Sequence, residues 1–154
     1  MKKYYLLTIL FLLISNISVA AEKIPVTITP AQIISTEYDE VEFGDVVEFK
    51  VVKDVFKDET LIIRKEAPVE AEVDYVSPNG WAAETAYIQL KNFKIMNSKN
   101  KWIEVPYTLR IKGKDCLKSS NIIYKSCTFL TSLVRGREVN LHPNQKKYNI
   151  ILLY

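Results

Sequence analysis

Beyond its first twenty or so residues, the chain alternates apolar and polar positions with a period of two, and no stretch of ten residues carries helical spacing. The clearest case is Val69-Glu70-Ala71-Glu72-Val73-Asp74-Tyr75-Val76. Every second residue there is apolar, while Glu70, Glu72 and Asp74 share the opposite face, as in a sheet with one buried side. The run Val46–Val52 repeats the pattern, with Val47, Phe49 and Val51 facing inward and Glu48 and Lys50 facing water. From Thr85 to Met96 the alternation passes through Ala86, Ile88 and Leu90 and then changes phase to Phe93 and Ile95, which predicts a bulge near Lys91 or Asn92. Trp102 to Ile111 reads as a long strand interrupted by Pro106, hence an edge or a bend. Tyr148 to Tyr154 reads as a final strand.

Turn residues punctuate these runs at Gly44-Asp45, Lys57-Asp58-Glu59, Ser77-Pro78-Asn79-Gly80, Asn97-Ser98-Lys99-Asn100 and Pro143-Asn144-Gln145. Shorter extended segments fall at Ile24–Thr29, stopped by Pro30, and at Leu61–Arg64. The stretch from Lys114 to Thr131 is the least regular. The pattern predicts an all-β fold, an antiparallel sandwich or small barrel of about seven to eight strands. No repeat or linker divides the chain, so residues 21–154 are expected to form one domain.

The N-terminus breaks the alternation. Met1, Lys2 and Lys3 precede an apolar run from Tyr4 to Ile14 and the small-residue stretch Ser18-Val19-Ala20-Ala21, which is the order of a secretory signal. Ser18 and Ala20 place small side chains three and one positions before a cut after Ala20, so residues 1–20 are expected to be removed. The apolar run is shorter than the roughly 20 residues a membrane-spanning helix needs, and no second one follows. The expected location is therefore the periplasm or the extracellular space.

Charge and cysteines refine this picture. Loss of Lys2 and Lys3 takes the formal charge from +3 to +1, and the remaining basic residues are interspersed with acids. Nucleic acid is not an expected partner, because its phosphates demand concentrated Lys and Arg. Cys116 and Cys127 are the only cysteines, and an oxidising compartment favours their closure into a disulfide. The loop so formed would contribute about 3 kcal/mol in the chain-entropy model. Redox chemistry favours Cys-x-x-Cys spacing and structural zinc needs four ligands, so no metal or cofactor is expected at this pair.

No frame of a known catalytic motif is present: Ser119-Ser120 lacks the glycines of a nucleophile elbow, and His142 stands alone before the last strand. The chain is expected not to be an enzyme. The positions best suited to a ligand are Trp81, next to an exposed turn, with Tyr75, Glu72 and Trp102, because aromatic faces stack on sugar rings and a carboxylate accepts hydrogen bonds from hydroxyls. Tyr87 and Tyr107 belong to the same candidate platform. The alternation of Tyr148, Ile150, Leu152 and Tyr154 also resembles the closing strand of outer-membrane barrels, but the acidic face of Val69–Val76 does not suit a lipid-facing or girdled wall.

Between about Asp45 and Lys112 stand Phe49-Lys50-Val51, Asp54-Val55, Leu61-Ile62-Ile63, Lys65, Pro68-Val69, Ala71, Val73, Gly80 and Ile88. In these residues the stretch resembles a β-module of bacterial envelope proteins and is similar to the barrel domain of type IV secretion channel proteins. Glu66 stands where that pattern has a glycine, and Ala82-Ala83 replaces a second. The resemblance implies a β-fold and a place in an envelope assembly, and it brings no catalytic residue. Two functional expectations follow. One is a non-enzymatic exported domain that binds another envelope protein; the other is a small secreted carbohydrate-binding or hydrolytic domain built on Trp81 and the neighbouring acids.

Overall fold

The computed structural model describes residues 22–37, 40–81, 84–114 and 135–154. The predicted signal and both cysteines, Cys116 and Cys127, lie outside the described residues. The described residues form the strands β1 (Lys23–Pro30), β2 (Ile34–Ser35), β3 (Val46–Val51), β4 (Val55–Lys57), β5 (Thr60–Ile63), β6 (Pro68–Ser77), β7 (Tyr87–Met96), β8 (Trp102–Val105), β9 (Leu109–Lys112), β10 (Asn140–Leu141) and β11 (Tyr148–Leu153). The fold is all-β, as the alternation predicts. One large antiparallel sheet runs β11-β1-β3-β6-β7-β8, with β9 also on β7, and β8 returns close to β11 so that the sheet is a nearly closed barrel. Two small ladders, β2–β10 and β4–β5, complete it. Among the described residues no helix is long and apolar enough to cross a membrane.

The alternating apolar residues fill the interior. Val26 and Ile28 of β1, Val47, Phe49 and Val51 of β3, Val69, Ala71 and Val73 of β6, and Ile150 and Leu152 of β11 are all buried. An aromatic line crosses this core. Phe49 meets Phe93 at 6.4 Å between ring centroids and Tyr148 edge-on at 6.4 Å, and Phe93 meets Tyr107 at 6.3 Å. Edge-to-face pairs of this kind add about 1 kcal/mol each beyond the area they bury. Tyr107 thus belongs with the core packing and leaves the expected sugar platform.

Two bulges set the phase of the central strands. On β7 the pairing with β6 slips between Glu70↔Lys94 and Glu72↔Lys91, so Asn92 and Phe93 together oppose Ala71. Asn92 takes φ 51°, a left-handed conformation that asparagine tolerates better than most residues. That is the predicted bulge, and it is why Ile88 and Leu90 share the buried face with Phe93 and Ile95. The pairing slips back between Val73↔Leu90 and Tyr75↔Gln89, this time with Asp74 as the extra residue on β6. Strict alternation places Tyr75 on the inner face; the Asp74 bulge turns it outward, 50 % exposed, and brings Val76 against the core instead.

Pro106 acts as predicted. β8 and β9 lie end to end along the same edge of β7, opposite Phe93–Met96 and Tyr87–Leu90 respectively, with the chain bent between them where Tyr107 N–H donates to the Val105 carbonyl at 2.8 Å. The Asn79-Gly80 turn is wider than a two-residue hairpin. Gly80 N–H bonds the Glu84 carbonyl at 2.9 Å, and the Asn79 amide donates to the Gly136 carbonyl at 2.9 Å. The segment Arg135–Val139 is thereby tied to the β6–β7 loop, reinforced by Ala86 N–H to the Arg137 carbonyl at 3.0 Å.

Candidate functional site

The outward side chains of β6, β7 and β9 form a continuous polar and aromatic strip. At one end Tyr75 stacks on Tyr87 at 5.5 Å with 29° between ring planes, and the Arg110 guanidinium lies 3.6 Å over the Tyr87 ring. This order follows from the register, because Tyr75 and Arg110 both oppose Gln89, one on each side of β7. Arginine over a tyrosine face is an attractive quadrupole contact. It covers the side of Tyr87 away from Tyr75.

Next along the strip, Lys91 gathers the acids of β6. Its ammonium is 2.7 Å from Asp74 Oδ1 and 3.8 Å from Glu72 Oε1, Gln89 donates to Asp74 Oδ2 at 2.8 Å, and Asn92 donates to Glu72 Oε2 at 2.8 Å. The hydrogen bond from Lys91, then that from Gln89, holds the Asp74 carboxyl below its usual range, and the same contact raises the Lys91 ammonium. Two of the three stripe carboxylates are therefore occupied by neighbours. That arrangement suits a structural ion pair better than general acid or base work, which needs a carboxyl free to exchange protons near neutral pH.

Beyond this network the strip opens into a groove of about 820 Å³, lined by Gly44, Val46, Glu70, Glu72, Lys94 and Glu104, with Asn92 and Pro106 at its sides. The Asn92 bulge and the Pro106 bend border it, and both interrupt the regular pleat of the outer face. In register, Lys94 faces Glu70 of β6 and Glu104 of β8. Among the described residues neither Glu70 nor Glu104 has an ion-pair partner. Val46 is 58 % exposed at the rim, and Phe43, one residue from Gly44, is 72 % exposed with Lys91 5.9 Å from its ring. Among the described residues no three His, Cys, Asp or Glu side chains stand together as a metal site.

The four sequence-derived ligand positions are not assembled into one site. Glu72 and Tyr75 lie on the strip, Tyr75 paired with Tyr87 and Glu72 held by Lys91 and Asn92. Trp102 begins β8 opposite Met96, seven residues along β7 from the Gln89 that faces Tyr75, or about 23 Å at the rise of a strand. Trp81 stands in the β6–β7 loop, 69 % exposed, and makes no ring contact with Tyr75. The groove itself rests on Val46, Glu70, Lys94 and Glu104, none of which is among the four positions the sequence singles out for a ligand. The phase change at Asn92 and the Pro106 break, which predict only a bulge and a bend, are the sequence signals that lie at its sides.

Comparison with protein-family models, with curated proteins and with solved structures finds no match to this chain. The barrel and its outer strip therefore carry the functional argument by themselves.

Proposed function

We propose that the chain is an exported, non-enzymatic β-domain of the bacterial envelope that binds a second envelope protein across the outer face of β6, β7 and β8. The observation that carries this reading is the open groove. Its lining sets the carboxylates of Glu70, Glu72 and Glu104 against the single ammonium of Lys94, and exposed Val46 and Phe43 flank it. A face with an apolar rim on which two of the acids, Glu70 and Glu104, have no ion-pair partner among the described residues is suited to an apolar segment that carries Lys or Arg, since charge complementarity steers encounter and the rim supplies contact area.

The N-terminal order Met1-Lys2-Lys3, apolar run, Ser18-Val19-Ala20 supports export with cleavage after Ala20, and export supports a Cys116–Cys127 disulfide. Glu66 is a departure from the pattern of the envelope β-modules. That residue stands at the pattern's glycine position and takes φ 63°, the conformation that makes glycine favourable there.

A second reading, a carbohydrate-binding domain, draws on the exposed Trp81. Its expected platform with Tyr75 is replaced by the Tyr75–Tyr87 stack under Arg110.

The test is a crosslinking pull-down of the tagged protein from its native envelope fraction, beside an untagged control and a Glu70→Lys/Glu104→Lys variant. The expected result is one envelope protein recovered in stoichiometric amount by the wild type and lost with the variant. A partner-free monomer overturns the reading and directs attention to glycan binding, with Trp81→Ala as the control.

A further inference from the structure

We propose that the Arg110 end of the outer strip is an anion subsite, which takes an acidic side chain from the same partner segment whose Lys or Arg enters the groove and so sets the direction in which that segment lies. The inference rests on the groove reading above and adds a second contact of opposite charge. Charge is unevenly spread along β7. At the groove end stand Glu70, Glu72 and Glu104 with Lys94. In the middle, Lys91 and Asp74 offset one another at 2.7 Å. At the far end β9 turns Arg110 and Lys112 outward, both exposed, on either side of the buried Ile111. Among the described residues no carboxylate pairs with either of them. The strip is thus acidic at one end and basic at the other.

Arg110 is also held in one orientation. Its guanidinium lies 3.6 Å over the Tyr87 ring, and Tyr87 in turn stacks on Tyr75. The stack fixes the guanidinium plane, while its N–H groups have no hydrogen-bond acceptor among the described residues. A planar fork of free donors binds a carboxylate through two parallel hydrogen bonds. Because the side chain is already ordered, binding gives up less of its freedom. Lys112 stands two residues further along the same face, about 7 Å away at the rise of a strand, and adds a second positive charge. The approach from solvent is open, since Tyr75 beside this end is half exposed.

Register sets the spacing between the two ends. Arg110 opposes Gln89 and Glu104 opposes Lys94, both along the same edge of β7, so the ends lie five residues apart, at most about 17 Å. An extended segment with Lys or Arg at one end and Asp or Glu about five residues away satisfies both. The same segment laid the other way sets like charges together at both ends, and that repulsion opposes it. A narrow segment can follow β7 along its length. A second copy of the barrel is convex across its strands and would meet this convex wall only along a line.

The test is zero-length carbodiimide coupling, which joins a carboxylate to an amine only where the two touch, applied to the tagged protein in its native envelope fraction with the linked peptides mapped by mass spectrometry. The expected result is Lys112 joined to an Asp or Glu, and Glu70 or Glu104 joined to a Lys, of one partner segment. Arg110→Gln/Lys112→Gln should lower recovery of that partner at least tenfold. Lys146→Gln/Lys147→Gln, an equal loss of charge just before β11, should leave it unchanged. Partner links at Glu70 or Glu104 with none at Lys112, or full recovery by Arg110→Gln/Lys112→Gln, overturn the anion subsite and leave the groove reading standing. Links at Lys112 with none in the groove overturn the groove reading and the shared segment with it. Links from Lys112 to Glu70 or Glu104 of another copy make a second copy the occupant and overturn both.

Discussion

Asp74 on β6 holds the Lys91 ammonium of β7 at 2.7 Å, between two points where the registers of those strands slip by one residue in opposite senses. Strict alternation from Glu72 already sets the Asp74 carboxylate outward beside Lys91, the extra residue there turns Tyr75 outward as well, and the extra residue on β7 at Asn92 lets its amide reach Glu72 at 2.8 Å. Asp74 and Glu72 are in this way tied to the two bulges, while Glu70 faces the groove.

The pair predicts an acid limb of stability. Because the folded-state Asp74 carboxyl titrates below its ordinary value of 3.8, its contribution is fully present above that value and is lost as pH falls through the lower folded value. Glu66, held down first by its hydrogen bond from Lys50 at 2.6 Å, contributes in the same direction below its ordinary 4.5. Urea midpoints measured from pH 6 downward should fall less steeply for Asp74→Asn than for the wild type. Equal slopes would show that the pair does not contribute.

Glycines 113 and 136 are required by close approach. A side chain at Gly136 would run into the Glu84 carbonyl, and one at Gly113 into the carbonyl of Arg137. Both neighbours are backbone and cannot rotate away, so Gly136→Ala should destabilise by about 3 kcal/mol, the upper part of the range for overpacking. The expected readout is a large drop in melting temperature together with exposure of the β6–β7 loop to protease. A melting temperature unchanged in Gly136→Ala would mean that Arg135–Val139 does not pack there.

The β4–β5 hairpin turns through Asp58 and Glu59 at φ 45° and 65°, the pair of left-handed residues a type I′ turn needs. Glutamate fits that conformation poorly, so Glu59→Gly should stabilise the fold by about 1 kcal/mol in chemical denaturation. A loss of stability would contradict the turn assignment.

Tyr148 carries a buried hydroxyl with no hydrogen-bond partner among the described residues, and burial pushes its pKa up to about 12. The folded state keeps its proton while the unfolded chain, with an ordinary value of 10.0, gives it up. Stability should therefore be full below pH 10 and decline as pH rises from 10 toward 12. Removing the unpaired hydroxyl in Tyr148→Phe should raise stability by about 1 kcal/mol at neutral pH and flatten the alkaline decline. Denaturation at pH 7 and pH 11 reads both effects.

Much of the barrel was legible in the sequence, because period-two burial leaves its mark wherever one face of a strand meets water. Val47, Phe49 and Val51 illustrate it, and the phase change from Leu90 to Phe93 marks the Asn92 bulge in the sequence itself. The Asp74 bulge left no such mark, since Tyr75 and Val76 are both acceptable core residues and either phase satisfies the pattern. The site was less legible. Glu72 and Tyr75 lie on one strip but Trp102 lies far along β7 from them, while the groove depends on cross-strand neighbours such as Glu70, Lys94 and Glu104. Register sets those neighbours, and a linear reading does not supply it.

The most direct measurement of the central claim is site-specific photocrosslinking in intact cells, with the photoreactive residue at Val46 on the groove rim and, in parallel, at Lys53 outside the groove lining. The account predicts one discrete adduct with an envelope protein from position 46, absent from position 53 and abolished by Glu70→Lys/Glu104→Lys. Identical adducts from both positions, or none from position 46, would contradict it.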